Sequence, residues 1–110
     1  MSIAARLKEL EITLPDAPKP VANYVPAVRT GNLVYISGQV SSAGGESVKG
    51  TLGADVSLED GQNAARLSAL AILAQVNAAV GSLEKVKRIV KLGGFVACTP
   101  DFYDQPKVIN

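Results

Sequence analysis

Residues 31–47 read GNLVYISGQVSSAGGES. Leu33, Val34, Tyr35 and Ile36 are strand formers, and Gly31-Asn32 ahead of them is turn chemistry. Upstream, Tyr24 to Arg29 is a second β-rich run. The two runs are expected to pair as antiparallel strands about Thr30-Gly31-Asn32, the second running from Leu33 to Val40. Ser37, Gly38 and Gln39 then place a hydroxyl, a bare backbone and an amide where a buried strand would close. Such groups are either ordinary strand-ending polar residues or one wall of a binding site.

Downstream, residues 41–56 are glycine-rich and polar and read as a loop with one short strand. They do not form a phosphate loop, because Lys49 precedes Gly50 whereas that chemistry needs Gly, then Lys, then Ser or Thr. Ser57 is a helix cap with Asp60 in the position of a capping-box acid, and Gly81 is a C-terminal stop. Between them the helix carries one stripe of Ala65, Ala69, Ile72, Val76 and Val80 and another of Leu67, Leu70, Ala74 and Ala78. A helix apolar on most faces is expected to be buried on most faces. Arg66, Gln75 and Asn77 interrupt it, which makes it a core helix and not a membrane span. After a turn at Ser82 to Lys85, residues 86–98 mix polar and β-branched side chains like a strand with one covered face. Gly93-Gly94 inside that run signals a bulge or the approach of another backbone. Pro100 ends it, and Phe102 to Asn110 reads as a loop entering a second helix.

Upstream of the hairpin, residues 2–12 suit a short amphipathic helix, and Pro15, Pro18 and Pro20 force an extended arm. The expected organisation is a single domain over 1–110 with 1–20 as its N-terminal arm. Element order β-β-α-β gives an α/β (α+β) class, a small mixed sheet with helices packed on one face.

Composition narrows the chemistry. With 47% hydrophobic and 19% charged residues the chain is a globular domain, and with only 5% aromatics its packing relies on small aliphatic side chains. Net charge is +1, from 11 basic and 10 acidic residues, which argues against a nucleic-acid or membrane-surface footprint. The local cluster Lys85, Lys87, Arg88 and Lys91 reads as a solvated strand edge. A single cysteine, Cys98, and no apolar leader suit a reducing compartment, so a cytoplasmic protein is expected. Cys98 itself reads as a small buried residue at a strand end. With no histidine, neither a Ser-His-Asp triad, a Cys-His dyad nor an imidazole metal site can form within one chain, and no cofactor is implied.

Tyr24, the Gly31-Asn32 turn, the segment YISGQ at 35–39, the apolar helix and the block GSLEKVKRIVKLGGFV at 81–96 occur in the order found in the YjgF, or Rid, family, which the chain resembles over roughly residues 20–110. The resemblance implies a chorismate-mutase-like fold, a homotrimer with clefts between subunits, and hydrolysis of reactive enamines and imines such as 2-aminoacrylate to a keto acid and ammonia. Endoribonuclease and translation-inhibitor activities are also ascribed to the family. By the same resemblance, a small carboxylate-bearing metabolite would be bound by Tyr24, Ser37, Gly38, Gln39 and Asn110. The family's carboxylate-clamping arginine and water-orienting glutamate lie in two further strands beyond the second helix. Those strands are expected to be missing here, and Arg29, Arg66 and Arg88 match neither position. No catalytic residue is therefore assigned. A trimeric metabolite-binding module without turnover is the alternative.

Overall fold

The computed structural model describes residues 2–110, in the order α1 (Ile3–Glu9), β1 (Ala27–Thr30), β2 (Leu33–Ile36), β3 (Ser42–Ala43), β4 (Glu46–Ser47), α2 (Leu58–Val80), a 3-10 turn (Leu83–Lys85) and α3 (Gln105–Ile109). Both hairpins are antiparallel and α2 packs on each of them. The α/β class is as expected, but the ladders form two separate two-stranded sheets.

In the first hairpin Ala27 pairs with Ile36, Val28 with Tyr35, Arg29 with Val34 and Thr30 with Leu33. Alternation puts Ala27, Val34 and Ile36, all half-buried, on the side of α2, and leaves Val28, Leu33 and Tyr35 exposed on the other. The strands are shorter than expected. Ser37 N still donates to Pro26 O at 3.0 Å, but Pro26 has no N–H to return the bond, so the ladder stops at Ile36 rather than Val40. The same proline keeps Tyr24 out of β1, and residues 21–24 form a bend instead.

The polar loop holds two short strands, not one. Gly44 and Gly45 connect β3 to β4 with φ of +59° and +85°, the left-handed pair that a two-residue turn needs. Helix α2 begins and ends as expected. Asp60 N donates to Ser57 Oγ at 3.1 Å, and Gly81 closes the helix in the left-handed conformation.

Of the two stripes on α2, Leu67 and Ala74 of the second are buried, whereas Ala65, Ile72, Val76 and Val80 of the first are half-buried and Ala69 is exposed. Leu67 and Ala71 pack with Ala43 and Val48. Nearer the start of the helix, Ala65 joins a second cluster with Leu52, Val56, Val96, Cys98, Phe102 and Val108, the last supplied by α3.

The expected strand at 86–98 is not a ladder. Leu52 N donates to Ala97 O and Thr99 N to Leu52 O, each at 2.9 Å, making one isolated parallel bridge between Leu52 and Cys98. Residues 87–96 make no hydrogen bond among the described residues. Gly94 accommodates a side chain rather than a backbone, since a Cβ there would stand 2.8 Å from Ile109 Cδ1. The N-terminal arm is tied down at two points. Glu84 caps α1 by accepting from Ile3 N (3.1 Å) and Ala4 N (2.7 Å), and Gln75 Nε2 on α2 donates to Pro18 O.

Candidate functional site

Ser37, Gly38 and Gln39 follow β2 directly and share one local arrangement. Ser37 is half-buried, and the Gln39 amide folds back so that Nε2 donates to Ser37 O at 3.1 Å and to its Oγ at 3.5 Å. The Ser37 hydroxyl keeps its own proton for another acceptor. Gly38 is exposed, and a Cβ built on it meets nothing within 4 Å. No neighbour within the chain therefore requires glycine there for space, and the backbone at this point stays open to solvent or a ligand.

Tyr24 is 49% exposed and precedes by two residues the proline whose carbonyl accepts from Ser37 N. It stands near the strand end through that backbone bond and not as part of β1. Asn110 is elsewhere. It caps α3 through a 2.9 Å bond from its N to Pro106 O, and α3 packs on α2 without touching the first hairpin. Of the five expected binding residues, one chain thus gathers Ser37, Gly38 and Gln39, keeps Tyr24 nearby, and holds Asn110 apart.

A concavity lies under the hairpin rather than at its end. It is a groove of about 370 Å³ lined by Pro26, Ala27, Arg29 and Val34 on the strand side and by Gln75, Ala78 and Ala79 on α2. None of the five lines it. Arg29 Nε donates to Gly31 O at 3.1 Å, and the side chain has no carboxylate partner among the described residues. Gln75 is almost fully buried. In the sequence Gln75 reads only as an interruption of the apolar helix; an amide amid aliphatic residues is the available sign that a polar partner, Pro18 O, lies opposite it.

The ion pairs among the described residues are Arg6–Glu9 and Lys107–Asp104, both exposed and both within one helical turn, so neither organises a site. Asp101 has its carboxyl held below the usual value, first by the hydrogen bond from Thr99 Oγ1 at 2.6 Å and then by its own backbone N–H. It is fully exposed and serves the turn before α3.

Two antiparallel hairpins under one long helix, with an open polar strand end, make a small α/β module. Residues 4–110 match the family model described as "YjgF/chorismate mutase-like, putative endoribonuclease", and the chain belongs to that family. A Trypanosoma cruzi relative, protein TCP17, is 44% identical over 110 residues, covering 98% of this chain and 68% of its own length. A crystal structure of a protein of unknown function from Agrobacterium tumefaciens is 50% identical, with a TM-score of 0.84 over 96% of this chain and 66% of that one. Another, of a "putative endoribonuclease" from Shewanella oneidensis, is 30% identical, with a TM-score of 0.93 over 99% of this chain and 73% of that one. The chain spans about two thirds of the length of the first two.

Proposed function

We propose that this chain is a cytoplasmic, homotrimeric binder of small carboxylate-bearing metabolites, built on the scaffold of an enamine/imine deaminase, with its binding cleft completed between subunits. The observation that carries the reading is the division of the site. The open strand end at Ser37-Gly38-Gln39 and the distant Asn110 belong to one chain, and a neighbouring subunit is the simplest way to bring the second to the first. Exposed Val28, Leu33 and Tyr35 on the outer face of the hairpin supply apolar surface for that subunit contact.

In such a cleft the Ser37 hydroxyl donates to a ligand carboxylate and the Gly38 backbone lies within its reach. Deamination itself adds water across C=N and releases ammonia, leaving the keto acid. It needs a clamped carboxylate, a polarised imine and a positioned water. At the strand end no arginine or carboxylate donates or accepts among the described hydrogen bonds. A charge-assisted bond contributes roughly 1.5–3 kcal/mol, and a factor of ten in rate is about 1.4 kcal/mol, so lacking a bidentate clamp costs roughly two to four orders of magnitude. RNA cleavage, which the descriptions of the family model and of a relative both name, is the second reading; with no histidine among these 110 residues and a net charge of +1, it would have to use acid-base groups other than imidazole.

The test measures pyruvate binding by calorimetry, mass by light scattering, and ammonia release from enzymatically generated 2-aminoacrylate. A trimer that binds pyruvate, loses binding in Ser37→Ala without a change in melting temperature, and turns over 2-aminoacrylate barely above background supports the proposal. A monomer, or unaltered binding in Ser37→Ala, overturns it. Robust ammonia release would refute the low-turnover part and make Arg29 and Arg88 the first residues to replace. Hydrolysis of RNA at modest salt would favour the ribonuclease reading.

A further inference from the structure

The groove beneath the first hairpin holds two polar groups that the strand end does not use. Gln75 stands in its α2 wall and is only 3% exposed. Because Pro18 offers a carbonyl oxygen, the Gln75 atom that bonds it is Nε2, and this bond fixes which way round the amide sits. Oε1 is thereby the free end of the amide, and it accepts no hydrogen bond among the described residues. No wholly buried side-chain polar atom among them lacks a partner, so Oε1 opens on the groove that Gln75 lines. A screened amide oxygen with no protein donor is left for an N–H or O–H brought from outside.

The strand wall supplies the opposite chemistry. Arg29 pairs with Val34 across the ladder, so both side chains lie on the α2 side of the hairpin. Its Nε donates to Gly31 O at 3.1 Å, which holds the base of the guanidinium at the turn. Neither Nη group donates among the described residues, no carboxylate pairs with it, and no acidic residue lines the groove. The rest of the lining is Pro26, Ala27, Val34, Ala78 and Ala79, all apolar. Ala78 and Ala79 belong to the last turn of α2, the end of a helix that carries partial negative charge. That end repels an anion and favours a donor. A ligand's carboxylate therefore belongs at Arg29 and its donor at Gln75. With one cation and no carboxylate in the groove, that donor is a neutral hydroxyl, since an ammonium would find no ionic partner.

We propose that the groove between β1–β2 and the last turns of α2 is a second ligand site, separate from the strand end, which takes a small aliphatic hydroxy acid. The Arg29 Nη groups hold its carboxylate, Gln75 Oε1 accepts from its hydroxyl, and the alanines face its aliphatic body. The volume of about 370 Å³ suits a metabolite-sized molecule. A keto acid of the same skeleton brings a carbonyl oxygen against Gln75 Oε1 and no proton, so the groove discriminates against it. This inference does not depend on what Ser37 binds.

The test titrates the 110-residue chain with 2-hydroxy-4-methylpentanoate and reads affinity from the NMR shifts of the Ala78 and Ala79 amides and the Arg29 Nε–H. Saturable shifts at these three are the expected result. The keto analogue 4-methyl-2-oxopentanoate lacks the hydroxyl proton, and 2-hydroxy-4-methylpentanamide lacks the charge. Each should bind at the groove at least tenfold more weakly. Arg29→Met should weaken the hydroxy acid by roughly ten- to hundredfold, the share of a charge-assisted bond. Ala78→Leu fills the groove from an exposed helix position and leaves both polar groups in place, so it should abolish binding with the melting temperature unchanged. Ser37→Ala should leave the groove's affinity unaltered. Shifts confined to residues 37–39, or loss of binding in Ser37→Ala, would place the hydroxy acid at the strand end and overturn the proposal. So would equal affinity for the keto acid, undiminished binding in Arg29→Met or Ala78→Leu, or no saturable binding.

Discussion

Helix α2 from Leu67 to Gln75 and the segment 87–96 are both rich in aliphatic side chains, and their surroundings are opposite. Leu67, Ala71 and Ala74 are buried, the first two beneath Ala43 of β3 and Val48, and every helical amide finds its acceptor within the helix. In the segment, Ile89, Val90, Leu92 and Phe95 face solvent and the backbone bonds are unmade. A helix satisfies its own backbone and needs a neighbour only for one face. A strand needs a neighbour for its hydrogen bonds as well. Apolar composition alone does not place a segment in a core.

The comparison is broken most sharply by large-to-small changes on each side. Leu67→Ala should destabilise by roughly 2–5 kcal/mol, because it leaves a cavity against Ala43 and Ala71. Phe95→Ala should change the unfolding free energy of the 110-residue chain, read from urea denaturation, by less than about 0.5 kcal/mol, since nothing in the chain packs on that ring. Equal losses from the two variants would mean that 87–96 is packed in solution.

Gly53→Ala probes the junction between the packed and the open regions. Gly53 has φ of +88°, and an added Cβ would collide with Thr99 Oγ1, so both backbone and neighbour must shift. A loss of about 1–3 kcal/mol is expected, read as a lower melting temperature with 51–56 and 97–102 exchanging faster. Ser57→Ala removes the α2 cap and should cost about 1 kcal/mol by the same measurement.

The smallest expected effect concerns Asp101. Its folded-state value lies below the ordinary 3.8 because Thr99 Oγ1 donates to it. A depressed carboxyl value contributes stability that is present above the unfolded value and is lost as pH falls through the folded one, so the dependence falls below about pH 4. Thr99→Val should raise the Asp101 titration midpoint toward 3.8, as read from its carboxyl carbon shift by NMR. An unmoved midpoint would mean that the Thr99 bond does not form in solution.

Much of the fold was legible because it rests on local chemistry. Gly31 in the turn, the alternation of 33–36, the Ser57 cap and the Gly81 stop each act within a few residues, and they located the first hairpin and α2. β propensity extends the strands to Tyr24 and Val40, whereas Pro26, with no N–H to give the ladder, ends them at Ala27 and Ile36. The candidate site was legible only in part. Ser37, Gly38 and Gln39 are contiguous and so stay together in the structure, whereas the placement of Asn110 depends on how α3 docks.

By itself the sequence determined the first hairpin, the extent of α2 and, through YISGQ and its flanking blocks, the family. Only the tertiary structure decided which stripe of α2 is buried. It also decided that Glu84 caps α1 from some eighty residues away, that Gln75 holds the arm, and that 87–96 remains a strand position without a ladder. The physical reason is range. Caps, turns and helical periodicity are settled by neighbours along the chain. A ladder, a buried face or a long-range cap exists only if a partner distant in sequence arrives at the right distance, and the segment's own residues do not encode that arrival.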